Sequence, residues 1–126
     1  MTQKILIVDD EAHIRRLIER ALIDLEDRDV ELLTADNGQD ALAMIMEEKP
    51  ELVFLDVMMP KMNGFDVCQA VKREHQMNDV YIVMLTAKGQ EYDRKRGEEV
   101  GANVYTTKPF DPDQLFEIAS NVLGLS

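Results

Sequence analysis

The chain has 126 residues, a formal net charge of −11, 45% apolar residues and one cysteine. That length suits a single compact domain, expected here over residues 1–126. The charge argues against non-specific nucleic-acid binding and against adhesion to anionic membrane, both of which depend on basic side chains. Cys68 alone cannot form an intrachain disulfide. The apolar run near Met1 is only Ile5 to Val8, followed by Asp9-Asp10-Glu11, so no signal peptide is read. No stretch approaches the length of a membrane span, and a cytoplasmic location is expected.

In chain order, Lys4 to Val8 reads as a buried strand, closed by Asp9-Asp10-Glu11, whose acidic side chains suit the positive start of a helix. Ile14, Leu17, Ile18, Ala21, Leu22 and Leu25 then recur at helical spacing. Glu31 to Ala35 is a shorter, more polar strand, as expected near a sheet edge. The turn Asp36-Asn37-Gly38 leads into a second helix carried by Ala41, Leu42, Ile45 and Met46, which stops before Pro50. Leu52 to Leu55 is apolar at every position, the pattern of a strand buried on both faces, and it ends in Asp56. Pro60 and Asn63-Gly64 mark the loop that follows.

Phe65, Val67, Cys68, Ala70 and Val71 predict a third helix, and Val80 to Leu85 a fourth strand ending at Thr86-Ala87. Gln90 to Val100 is a weakly apolar fourth helix, closed by Gly101. Val104 to Thr107 is a polar-leaning fifth strand ending at Lys108-Pro109. Asp111-Pro112 opens the last helix, whose inner stripe is Leu115, Ile118, Ala119, Val122 and Leu123. Five strands alternating with five helices imply right-handed crossovers and a doubly wound parallel sheet covered on both faces, an α/β class.

Four of the five predicted strands end in residues able to do chemistry: Asp9 and Asp10, Asp56, Thr86, and Lys108. In a parallel sheet these ends share one edge, where open α/β folds place their sites. Singly, each has an ordinary role: turn or helix cap for the acids, turn hydroxyl for Thr86, solvated surface amine for Lys108. Together they form a coherent set. Clustered carboxylates repel and raise one another's pKa unless a cation neutralises them, and Mg²⁺ favours one or two carboxylates plus waters and phosphate oxygens. Lys108 adds a positive charge and Thr86 a hydroxyl donor. Such a set suits phosphoryl transfer, with Asp56 as the nucleophile.

Asp9-Asp10, Asp56-x-x-Met-Pro with Gly64 beyond it, Thr86-Ala87 and Lys108-Pro109-Phe110 resemble, in order and spacing, the receiver domain of bacterial two-component response regulators. The resemblance runs over nearly the whole chain. It implies a flavodoxin-like sheet in the order 2-1-3-4-5. It implies that Asp56 accepts a phosphoryl group from a sensor histidine kinase or phosphotransfer protein. Asp10 and Asp56 would hold Mg²⁺ with the backbone carbonyl of Met58, and Asp9 would act mainly through a metal-bound water. Lys108 would pair with the phosphoryl group or, before it arrives, with Asp56. The Lys108–Pro109 peptide is expected to be cis. The chain would not be an enzyme beyond promoting its own phosphorylation and dephosphorylation.

A phosphoryl group adds roughly −1.5 to −2 units of charge. Thr86 could turn toward it, and Tyr105 matches the family's switch aromatic, against the alternative of an ordinary half-buried edge-strand tyrosine. The output surface would be helix four, strand five and helix five, facing an output protein or attached output domain, with a phosphorylation-dependent homodimer also admitted there. Arg94, Lys95 and Arg96 fit such an exposed face, or a plain solvated charge run. Met58 and Lys88 occupy positions that tune dephosphorylation in the family, and Met58 offers no polar group to position water. His13 and His75 are expected at the surface and Cys68 in the core. The competing readings are a receiver-like interaction module that is never phosphorylated, an aspartyl-phosphate phosphohydrolase, and a flavin or nucleotide binder. The phosphohydrolase class places an Asp where this chain has Met58. The flavin or nucleotide class would want a Gly-rich or hydroxyl-rich loop where this chain has Asp9-Asp10-Glu11.

Overall fold

The computed structural model describes residues 2–87 and 91–125, and for residues 87 and 91–94 the backbone alone. The sequence-based start of the fourth helix at Gln90 lies outside the described residues, as does Lys88.

The strands are β1 (Gln3–Val8), β2 (Val30–Ala35), β3 (Leu52–Asp56), β4 (Tyr81–Ala87) and β5 (Val104–Lys108). The helices are α1 (Ala12–Leu22), α2 (Gly38–Glu48), α3 (Gly64–Gln69), α4 (Glu91–Val100) and α5 (Pro112–Leu123). All strand pairings are parallel, in the order β2-β1-β3-β4-β5. This is the flavodoxin-like arrangement that the family resemblance implied, with the half-polar β2 at one edge.

The two-residue pleat divides the core. Leu6 and Val8 of β1, Val53 and Leu55 of β3, and Ile82 and Met84 of β4 face one side, packing with Ala41, Ile45, Val67, Cys68 and Val100. Ile5 and Ile7, Leu52 and Phe54, and Val83 and Leu85 face the other, packing with Ile18, Leu22, Leu115, Ala119 and Leu123. α2, α3 and α4 thus cover one face, and α1 and α5 the other.

Several local expectations need correction. Leu17, expected in the apolar stripe of α1, and Met46, expected among the apolar residues that carry α2, are 41% and 36% exposed, because Ile18 and Ile45 take the central positions beside them. Leu25 is buried, but from a 3₁₀ segment (Ile23–Arg28) that follows α1. Ala70 and Val71 do not continue α3 as α-helix; a π-helical turn spans Ala70–Glu74, with His75 N–H donating to the Ala70 carbonyl at 2.9 Å. That turn buries Lys72, whose Nζ donates to the Val80 carbonyl just before β4. Glu11 makes no side-chain cap on α1. Asn37, Asn63 and Asp111 do cap α2, α3 and α5, and Pro112 stands in the first turn of α5 as expected.

The loop after β3 is closed tightly. Gly64 N–H donates to the Val57 carbonyl at 2.9 Å, and a Cβ at position 64 would lie 2.3 Å from the Asp56 carbonyl oxygen. Since that oxygen belongs to buried backbone, it cannot yield as a side chain would. Gly64→Ala is expected to lower stability by about 1–3 kcal/mol, the range of overpacked sites, read as a lower urea midpoint at unchanged slope.

Candidate functional site at the carboxyl edge of the sheet

Strand parity decides which side chains meet. Asp56 continues the Leu52–Phe54 row of β3, and Asp9 continues the Ile5–Ile7 row beyond β1. Lys108 continues the row of Val104 on β5. All three therefore project from the α1/α5 side at the sheet's carboxyl edge. The Lys108 backbone stands two strands from β3, and its flexible stem bridges the gap. Nζ donates to Asp9 Oδ2 at 2.8 Å and to Asp56 Oδ1 at 3.1 Å.

Asp9 is fully buried and Asp56 is 5% exposed. Burial, reinforced by the neighbouring Asp9 charge, pushes the Asp56 carboxyl up to about 6 from 3.8, although Lys108 pulls the other way. Burial pulls the Lys108 ammonium down, but its bonds to Asp9 and Asp56 outweigh this and hold its pKa above the ordinary 10.5. Asp9 Oδ1 accepts from Glu11 N–H at 3.0 Å, so Asp9 turns a backbone donor inward where a cap of α1 was expected. Asp10 is exposed, yet one oxygen from each of Asp9, Asp10 and Asp56 lies within 4.8 Å of the others. Three converging carboxylates with one ammonium form a hard, oxygen-rich donor set of the kind a small divalent cation takes.

Thr86 lies on the opposite parity. It follows Ile82 and Met84 on β4, toward α3 and α4, and is 2% exposed. Tyr105 pairs with Met84 across β4 and β5 and packs against the same core face. A Cβ at Gly97 would come within 2.5 Å of Tyr105 Cε2, so the ring lies directly on the backbone of α4. The two residues read as a switch pair thus share one face of the sheet, and the acids and Lys108 share the other. The Lys108–Pro109 peptide is cis, as the motif implied.

Met58 is 74% exposed beyond the acid cluster. His13 and His75 are exposed, and Cys68 is buried, with its thiol pushed up to about 11 by that burial. Lys95 is exposed; Arg96 is half-buried, with bonds to Gln69 and Glu99, so it is more than a solvated charge. The side chain of Arg94 lies outside the described residues. Sequence reading missed Arg15, Lys72 and Gly97, whose types and spacing carry no signal apart from the folded contacts.

With this geometry in place, the family model for the response regulator receiver domain matches residues 5–120. The chain belongs to that family, whose members are the receiver domains of two-component response regulators. Among curated relatives, "Probable transcriptional regulator ycf27" of Porphyra purpurea is 50% identical over 113 residues, 90% of this chain and 44% of that protein. The phosphate regulon transcriptional regulatory protein PhoB of Pseudomonas aeruginosa is 48% identical over 111 residues, 88% of this chain and 47% of that protein. The chain spans about half the length of the curated relatives it matches. Among solved structures, Vibrio cholerae chemotaxis protein CheY4 superposes with a TM-score of 0.82 at 33% identity, over 97% of this chain and 99% of that one. The structure titled "BeF3 Activated DrrB Receiver Domain" superposes at 0.85 with 31% identity, over 98% and 99%.

The raised Asp56 carboxyl has a thermodynamic consequence. Its folded pKa lies above the unfolded value, so its contribution to stability is fully present below pH 3.8 and is lost as pH rises through about 6. Asp56→Asn removes that loss. In metal-free buffer at pH 7 the variant is expected to be more stable than the parent by about 1–3 kcal/mol. The difference should shrink as pH is lowered from 6 toward 4, as read by denaturant melts at several pH values.

Proposed function

We propose that this chain is a phospho-accepting receiver that takes a phosphoryl group on Asp56 from a histidine kinase or phosphotransfer protein, with Mg²⁺, and switches a protein-binding surface in response. The observation that carries this reading is the single ammonium of Lys108 bonded at once to Asp9 and Asp56 beside the exposed Asp10. No ordinary structural need calls for three carboxylates converging at the ends of the two neighbouring central strands, β1 and β3.

The residues divide the work. Asp9, Asp10 and Asp56, with the Met58 carbonyl, would hold the Mg²⁺, which when bound supplies charge neutralisation for the phosphoryl oxygens. An Asp56 carboxylate oxygen attacks phosphorus. The new P–O bond forms as the P–N bond to the donor imidazole breaks, and the imidazole keeps the electron pair and takes up a proton. With its carboxyl near 6, Asp56 is mostly ionised at neutral pH and so holds the lone pair that attack needs. Lys108 can move its bond from Asp56 to the incoming phosphoryl oxygens while keeping Asp9. Thr86 would bond a phosphoryl oxygen from the α3/α4 side and couple the event to Tyr105.

The output surface in this reading is α4, β5 and α5, and partners are proteins: the kinase, an output protein or attached output domain, and a second copy when phosphorylated. The relatives' names speak of transcriptional regulators; for these 126 residues, at net charge −11, we assign no direct nucleic-acid contact. Among the described residues no helix is long and apolar enough to cross a membrane; a cytoplasmic location is part of the proposal and rests on membership of the receiver family. Its only chemistry is on itself, so it is not an enzyme acting on a separate substrate. Met58, exposed where a phosphohydrolase of this type carries an acid, supports that choice.

Incubation with a small phosphodonor and Mg²⁺ is expected to add one phosphoryl group per chain, and Asp56→Asn to add none, by intact mass. Labelling of the variant at the same stoichiometry would sink the assignment. Tyr105→Ala is expected to keep labelling near the parent level while weakening capture of the output partner by about tenfold. Equal capture counts against the switch.

A further inference from the structure

Asp9 is held at every polar atom. Its N–H donates to the Ala35 carbonyl at 3.3 Å, Oδ1 accepts from Glu11 N–H, Oδ2 accepts from Lys108, and its backbone carbonyl accepts from Arg15 Nη1 at 2.7 Å. The last contact is unlike the others. It grips the peptide that joins Asp9 to Asp10. Among the described residues no side-chain hydrogen bond holds the Asp10 carboxylate, so Asp10 is aimed by its backbone alone. Arg15 sits one turn into α1 and is half-buried at the rim of a cleft of about 440 Å³ that it shares with Thr34, Asp36 and Asp40. Although acids line that cleft, the guanidinium donates to a carbonyl.

From this geometry we infer that Arg15 is a positioning residue for the divalent cation site: its side chain clamps the Asp9–Asp10 peptide and so sets where the Asp10 carboxylate stands relative to Asp56. The inference rests on reading the acid cluster as a cation site. It makes a prediction opposite in sign to simple electrostatics. A guanidinium near a cation site repels the cation, so if Arg15 acted only through charge its removal would tighten binding. If it acts as a clamp, removal loosens Asp10 and weakens binding, as loss of an outer partner of a metal ligand does.

The test is Mg²⁺ titration of the full chain by calorimetry, with thermal unfolding of each variant in metal-free buffer. Arg15→Met, which keeps the stem and removes donor and charge, is expected to bind Mg²⁺ about tenfold more weakly. Arg15→Lys, which restores a donor, should recover to within about threefold. Should Arg15→Met fail to fold, Arg15→Gln, too short to reach the carbonyl, carries the same expectation. Binding in Arg15→Met or Arg15→Gln that equals or exceeds the parent's overturns the clamp, and so does weakening in Arg15→Lys equal to that in Arg15→Met. If the parent chain takes up no Mg²⁺, the cation reading itself fails and the clamp falls with it.

Discussion

The structure turns on one ammonium set between two buried carboxylates. Without Lys108, Asp9 and Asp56 would face each other at a strand end with almost no water to screen them. A lone buried charge is costly enough that a group generally gives up its proton state first. Asp56 shows this tension in a carboxyl lifted to about 6 despite its lysine partner. The fold tolerates the strain because the ends of β1 and β3 are fixed by cores on both faces, and because β5 delivers Lys108 across two strand widths. Stability is sacrificed at the place where binding a cation or an anion-bearing group has most to offer.

The pleat of the sheet then separates two roles. Alternate residues along a strand point to opposite faces, so Asp9, Asp56 and Lys108 gather on the α1/α5 side, while Thr86 and Tyr105 look toward α3 and α4. Thr86 ends β4, the strand beside that of Asp56, and is buried on the α3/α4 side of the sheet. The arrangement follows from register: a shift of one residue in β4 would turn Thr86 to the other side.

Much of this was legible in the residues themselves. The continuous apolar run of Leu52 to Leu55 marks a central strand, and the alternation of strands and helices fixes a parallel sheet. The strand order and the cis peptide came only from the family resemblance that the motifs between Asp9 and Pro109 carry. What the sequence did not disclose depends on packing. Leu17 and Met46 are apolar yet exposed because helical spacing alone does not say which edge of a stripe is covered. The π-helical turn and buried Lys72 have no local signature, since a lysine within an apolar helix reads as solvent-facing. Arg15 and Arg16 are adjacent in the sequence, and only the folded chain shows that Arg15 reaches back to the Asp9 carbonyl.

The contact between Tyr105 and Gly97 ties β5 to α4. Glycine within a helix forgoes about 1 kcal/mol relative to alanine, and here the missing methyl is the seat of an aromatic ring. Lifting the ring leaves a bare patch of backbone exposed to water, and sliding α4 leaves the ring without its floor. Ring and helix therefore constrain each other's position, and the glycine that permits the contact lowers the helix propensity of α4 at that point. Any side chain at position 97 would have to displace the ring or the helix, so a residue on the neighbouring strand decides what the middle of α4 can be.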